Sequence, residues 1–210
     1  MVLQFKHSIL FLSVIAIFSA CTENKKVETS ETPVVTEKVD CLYSFDASTT
    51  KVFWAAFKTE DKLKVVGQFK DLKTDRADQK FSSLEALVNG INFSINSASS
   101  ASGDEIRDLS LKDYFFQLFT ENFEINGSLT EMNEESITAT INLFGTIKNI
   151  KLTYSADEEV LKMKGTLSLE EFGALKAYNS IHEKCFDLHK GKTWDDVDVI
   201  IEVPILKDCQ

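Results

Sequence analysis

Residues 137–154 read I-T-A-T-I-N-L-F-G-T-I-K-N-I-K-L-T-Y. Ile137, Ala139, Ile141 and Leu143 alternate with Thr138, Thr140 and Asn142. A β-strand sends successive side chains to opposite faces, so this row dries one face and wets the other. Gly145 interrupts the run. Alternation resumes with Ile150, Leu152 and Tyr154 against Lys151 and Thr153. Two such strands about a glycine-containing turn predict an antiparallel hairpin with one dry side.

The same device recurs along the chain. Leu63, Val65, Gly67 and Phe69 alternate with lysines and Gln68, and Ile91, Phe93 and Ile95 alternate with Asn92, Ser94 and Asn96. Leu161, Met163, Gly165, Leu167 and Leu169 form another row, and Val197, Val199, Ile201, Val203 and Ile205 close the series. Residues 42–46, 51–58 and 123–129 complete the expected strands. The stretch 51–58 is apolar on both faces, so its inward side is not readable. Residues 73–80 and 97–103 are expected as loops. Three helical covers are expected. The first is near residues 84–88, with Ser82 and Glu85 at capping-box spacing and Asn89-Gly90 as the stop. The second spans 110–120, with Ser110 as N-cap and Leu111, Phe115, Leu118 and Phe119 on one face. The third runs 172–189 and stops at Gly191. The expected fold is all-β, an antiparallel barrel of about eight strands, or a sandwich, with short capping helices. Every readable dry row lacks Lys, Arg, Asp and Glu. A closed barrel of this size either fills its lumen with side chains or leaves space for one small ligand.

The first 20 residues carry Lys6 and His7 before an apolar run, 9–18, and end Phe18-Ser19-Ala20-Cys21. This pattern predicts a secretion signal over 1–20 of the kind cut before a cysteine that then receives a lipid, here Cys21. Residues 21–40, rich in Thr, Glu, Lys and Val, read as a solvated tether, and 41–210 as one folded domain. The whole chain has a formal charge of −10 and two arginines, Arg76 and Arg107. Such a balance excludes nucleic acid and leaves membrane attachment to the lipid anchor. With Cys21 acylated, Cys41, Cys185 and Cys209 permit three pairings in an oxidising compartment. Cys41 begins the first strand and Cys209 follows the last, so antiparallel closure favours Cys41–Cys209.

Several motifs, taken in order, resemble the YceI-like lipid- and polyisoprenoid-binding family over roughly residues 43–205. They are Val52-Phe53-Trp54, then Val65-Val66-Gly67-Gln68-Phe69, then Ile91-Asn92-Phe93-Ser94-Ile95 followed by Ile106-Arg107-Asp108 and Lys112-Asp113-Tyr114-Phe115-Phe116. Next come Leu143-Phe144-Gly145-Thr146-Ile147-Lys148, Met163-Lys164-Gly165-Thr166-Leu167 and Phe172-Gly173. The tail from Cys185 to Trp194 is similar to the version in lipoproteins of Bacteroidetes-type bacteria. The resemblance implies a lipocalin-like antiparallel barrel, exported to the bacterial cell envelope, that carries or sequesters an isoprenoid such as a quinone or polyprenyl tail without chemistry or cofactor. The chain departs from the family after the Phe-Phe helix, where a proline-containing segment is replaced by Glu121-Asn122-Phe123-Glu124-Ile125.

The residues expected to meet such a ligand are Trp54, Val65, Phe69, Phe93 and Ile95 from the first half, Phe115 and Phe119 from the helix, and Ile141, Leu143, Leu152, Met163, Leu167, Val199 and Ile201 from the later strands. For any one of them core packing is the first explanation, and the ligand reading is collective. Arg107 could reach a head-group carbonyl or simply fix its loop with Asp108. His182, Cys185 and His189 form H-x-x-C-x-x-x-H, which on a helix would share one face but offers no fourth ligand, so no metal is assigned. The mature chain holds two histidines and lacks G-x-S-x-G, P-loop and G-x-G-x-x-G motifs, so no enzyme is expected. The alternative class is an adhesion or assembly adaptor with a solid barrel and an acidic docking face. Protein partners are not readable.

Overall fold

The computed structural model describes residues 40–118, 123–157 and 159–210. The expected signal, the lipidation site Cys21, nearly all of the tether and Phe119 lie outside the described residues. The strands are β1 (Cys41–Phe45), β2 (Lys51–Lys58), β3 (Leu63–Phe69), β4 (Leu72–Thr74), β5 (Ile91–Asn96), β6 (Ser100–Ala101), β7 (Glu124–Thr130), β8 (Ser136–Leu143), β9 (Thr146–Ala156), β10 (Val160–Ser168) and β11 (Asp196–Cys209). The helices are α1 (Leu84–Val88), α2 (Glu105–Tyr114) and α3 (Leu175–Lys184).

One antiparallel sheet holds them all, in the order β4-β5-β7-β8-β9-β10-β11-β2-β3-β6, with β1 on β11. The sheet curls because its two ends belong to one stretch of chain. β3 pairs with β2 and β4 pairs with β5, yet only Lys70 and Asp71 separate them. Ser99 pins that bend: its hydroxyl accepts from the Lys70 and Asp71 amides, each at 3.0 Å, and donates to the Asn96 carbonyl at 2.6 Å. Counted as one bent strand, β3–β4 closes a ring of eight with β5, β7, β8, β9, β10, β11 and β2. The expected number therefore describes the barrel, while β1 and β6 are additions to it.

The hairpin β8–β9 shows how local chemistry sets the register. Leu143 pairs with Thr146, leaving Phe144 and Gly145 as a two-residue loop with φ +58° and +84°. Positive φ at both central positions gives a turn whose twist matches the strands it joins. Every second residue of β8 is then dry: Ile137, Ala139, Ile141 and Leu143 are all buried. Cys41 pairs with Cys209 in the β1–β11 register, and the two form a disulfide that ties the ends of the domain.

Some elements differ from expectation. β4 and β6 are too short to show alternation. α2 starts at Glu105 rather than 110, because the Asp104 carboxylate accepts the Arg107 amide at 3.1 Å and caps the helix there. No residue of α2 is buried, and Phe116–Leu118 continue it as a 3₁₀ turn. Ser83, not Ser82, caps α1, accepting from the Ala86 amide. α3 ends at Lys184, and the chain then turns repeatedly to Gly191 at φ +79°. Leu63 is exposed because it stands at the rim, opposite Lys58.

Candidate functional site

The barrel is hollow. A cavity of about 540 Å³ runs through it, inside the usual range of about 300–1,000 Å³ for small-molecule sites. Trp54, Val65, Phe69, Phe93, Ile95, Phe115, Ile141, Leu143, Leu152, Met163, Leu167, Val199, Ile201 and Arg107 all line it. Thus the expected residues, Phe119 apart, are brought to one space. One end holds Phe45 and Ile205, paired near the disulfide, and Leu87 and Val88 of α1. At the other end, Ile106 of α2 and Leu188 beyond α3 line the cavity yet are 79% and 76% exposed. The cavity meets solvent between them. α3 covers this end with Ala177 and Ile181 turned in.

The hole survives because large side chains lie along the wall instead of across it. Trp54 faces Gly67 in the β2–β3 register, and its indole occupies the space a side chain at 67 would need. Phe93 faces Gly127 in the β5–β7 register in the same way. Glycine inside a strand costs stability but admits a neighbouring ring to the backbone. The Trp54 indole nitrogen also donates to the Ser100 hydroxyl at 2.9 Å, which fixes its tilt. Near the mouth, the turn residue Phe144 stacks edge-on against Phe115, centroids 6.0 Å apart, and Phe115 against Phe116 at 5.1 Å.

Polar groups gather only around the mouth and a few wall positions. On the α2 side, Arg107 Nε donates to Ser102 Oγ at 2.7 Å and its Nη2 pairs loosely with Asp104. Arg107 therefore fixes its own loop, although it also lines the cavity. On the opposite side, Lys58 bridges to Thr193 at the end of β2. Tyr178 Oη donates to the Thr193 carbonyl at 2.7 Å. The Thr193 hydroxyl meets His182 Nδ1 at 3.1 Å and His189 Nδ1 at 2.9 Å. Burial, with help from Lys58 and His182, holds the His189 pKa below the ordinary histidine value, and burial pushes the Cys185 thiol up. His182, Cys185 and His189 do not share a helix face, since α3 stops before Cys185. Among the described residues no group of three or more His, Cys, Asp or Glu is placed to hold a metal ion. Asp104 is the one carboxylate among the described lining residues.

Lys58, Tyr178, Thr193 and Trp194 are site residues that the sequence reading did not select. Lys58 ends β2 and Thr193 is an isolated bridge residue ahead of β11, where alternation gives no signal. Trp194 was legible only as part of the tail motif.

An antiparallel barrel, closed by short helices around a hydrocarbon-lined hole, defines a class of fold whose lumen has room for one small molecule. The YceI-like domain profile matches residues 43–205, and the chain belongs to that family. Among solved structures it is similar to a polyisoprenoid binding domain from Saccharophagus degradans, at 14% identity and a TM-score of 0.55, over 78% of this chain and 97% of that one. It is also similar to BcnA of Burkholderia cenocepacia, at 13% identity and a TM-score of 0.51, over 78% and 99% of the two chains. These likenesses concern the fold. No protein of curated function matches the sequence.

Proposed function

We propose that the protein binds the isoprenoid tail of a lipid inside its barrel, for carriage or sequestration and without chemical change. The observation that carries this reading is the apolar cavity of about 540 Å³, lined by rows from every barrel strand. The polyisoprenoid binding for which the similar Saccharophagus degradans domain is named supports it. A solid adaptor barrel would need that space filled. Energetics fit a tail. Each enclosed CH₂ gains about 0.8 kcal/mol, so a five-carbon unit gains roughly 4 kcal/mol. Association alone costs about 4–15 kcal/mol, so one unit is insufficient and several are needed.

The test is native mass spectrometry of delipidated protein offered quinones and prenols of increasing tail length. Affinity should climb with each added unit until the cavity is full, then level off. Failure to take up any of them would refute the proposal. We further propose that the chain is exported and anchored to a bacterial membrane through lipid on Cys21. The mature amino terminus should then carry a diacylglyceryl mass on Cys21, absent from Cys21→Ser.

A further inference from the structure

Once a tail fills the lumen, its head must rest at the mouth, and the two sides of the mouth differ. On the α2 side every polar side chain that lines the cavity is engaged locally. Arg107 holds Ser102, Asp104 caps α2, and the Ser110 hydroxyl donates to the Ile106 carbonyl at 2.8 Å. On the β2–β11 side hydrogen-bonding capacity is left over. Among the described residues, the Lys58 ammonium makes no ion pair or hydrogen bond. His189 uses Nδ1 on Thr193, and its Nε2 takes no partner there. Both residues line the cavity, and the Lys58–Thr193 bridge sets them beside each other.

Resting on the binding reading above, we propose that Lys58 and His189, positioned by Thr193, form a head-group subsite for an uncharged oxygen-bearing head: a quinone carbonyl or a prenol hydroxyl. The Thr193 hydroxyl has one proton for two imidazoles: given to His189 Nδ1, it leaves the His189 proton on Nε2, so that Nε2–H and the ammonium both present donors to one oxygen; given to His182, it leaves His189 Nε2 as an acceptor for a head-group hydroxyl beside the ammonium donor. A hydroxyl suits equally, since it donates or accepts. A phosphate does not suit. It brings a charge of about −1.5 to −2, against one unpaired ammonium among the described lining residues and an imidazole whose charged form burial disfavours. The nearby Lys62 is already tied to Asp196 at 2.7 Å. Asp104 across the mouth adds a negative charge on the same space.

Trp54 and Trp194 line the cavity, so quenching of tryptophan fluorescence reports binding. Four ligands of matched tail length are titrated: a quinone, a prenol, a prenyl phosphate and a headless hydrocarbon. Quinone and prenol should bind the native protein roughly tenfold or more tighter than the hydrocarbon, the gain of one or two well-made hydrogen bonds. Lys58→Met and His189→Phe should each shrink that preference and together erase it, the preference being read within each variant as the ratio of quinone or prenol affinity to hydrocarbon affinity. Circular dichroism and melting check that the variants fold, and Lys58→Met, at a strand end near the rim, gives a readout even if His189→Phe does not. A preference that survives both substitutions overturns the proposal, as does prenyl phosphate binding tightest. Hydrocarbon binding with no head preference in the native protein overturns the subsite alone, whereas no binding of any ligand overturns the tail reading too.

Discussion

Gly67→Ala tests the idea that the cavity is kept open by rings lying on bare backbone. A Cβ built at Gly67 falls 2.2 Å from Trp54 Cζ2 and 2.4 Å from Cε2. Carbon atoms rest about 3.5–4.0 Å apart, so the indole must lift by more than about 1 Å. Trp54 is buried, and the shift also stretches its bond to Ser100. Overpacking of this kind costs about 1–3 kcal/mol and a lost hydrogen bond about 1 kcal/mol. Removing a strand glycine returns about 0.5–1 kcal/mol. The balance is a loss of roughly 2 kcal/mol, which for a domain of this size lowers Tm by about 4–8 °C. In a Trp54→Val background the obstruction is gone, and the same Gly67→Ala should stabilise by about 0.5–1 kcal/mol. Urea unfolding of the four proteins closes the cycle, and the sign of the glycine substitution should reverse between backgrounds. A displaced indole also enters the lumen, so Gly67→Ala alone should weaken tail binding. Equal effects of Gly67→Ala in both backgrounds would refute the reasoning.

Gly127→Ala should be costlier, above about 3 kcal/mol, because its Cβ would meet the Thr140 carbonyl oxygen at 2.4 Å as well as the Phe93 ring. A backbone atom cannot swing aside, and a melting temperature within error of the native one would contradict this. Breaking Cys41–Cys209, by reduction or by serine at both positions, frees a loop of 168 residues in the unfolded chain and should cost up to about 5 kcal/mol. Denaturation with and without reductant measures it, and indifference to reductant would argue against the bond. His189 should titrate with a midpoint below 6.5 by NMR, because burial beside Lys58 and His182 disfavours its charged form. The unfolded chain then binds the proton more readily, so this contribution to stability is present above pH 6.5 and is lost as pH falls through that value toward the lower folded one. A midpoint at or above 6.5 would show the ring to be solvated.

The walls of the barrel were legible because period-two burial writes itself into composition. In β8 the order Ile137, Ala139, Ile141, Leu143 leaves no other register that keeps one face dry, and the structure buries all four. The pairing of Cys41 with Cys209 followed from the same logic, since closure brings first and last strands together. Elements whose existence depends on a tertiary contact were not legible. β4 is three residues long and exists because Ser99, far along the chain, bends Lys70-Asp71 onto β5. α2 began earlier than its apolar spacing suggested, because a cap at Asp104 outweighed the periodicity, and the helix then left Ile106 and Leu109 exposed. A hydrophobic pattern indicates a buried face only where something covers it.

Whether the lumen is hollow or filled could not be read from the dry rows, because the same Phe, Leu and Ile serve either outcome. The deciding information lies in the partners across each strand pair. Trp54 opposite Gly67 and Phe93 opposite Gly127 put large rings against two of the three glycines in the barrel strands, while the third, Gly165, is met by Leu152. Each ring is thereby drawn flat onto the sheet, and the axis of the barrel is left open. The short turn at 59–62 sets the β2–β3 register locally, whereas β5 meets β7 only across a long connection, so the pairing of Phe93 with Gly127 acquires its meaning only in the folded sheet. By the same reasoning the mouth is asymmetric. Asp104 both caps α2 and takes up Arg107 on one side, while Thr193 takes two imidazoles by Nδ1 on the other and leaves the His189 Nε2 at the lumen near the Lys58 end of β2.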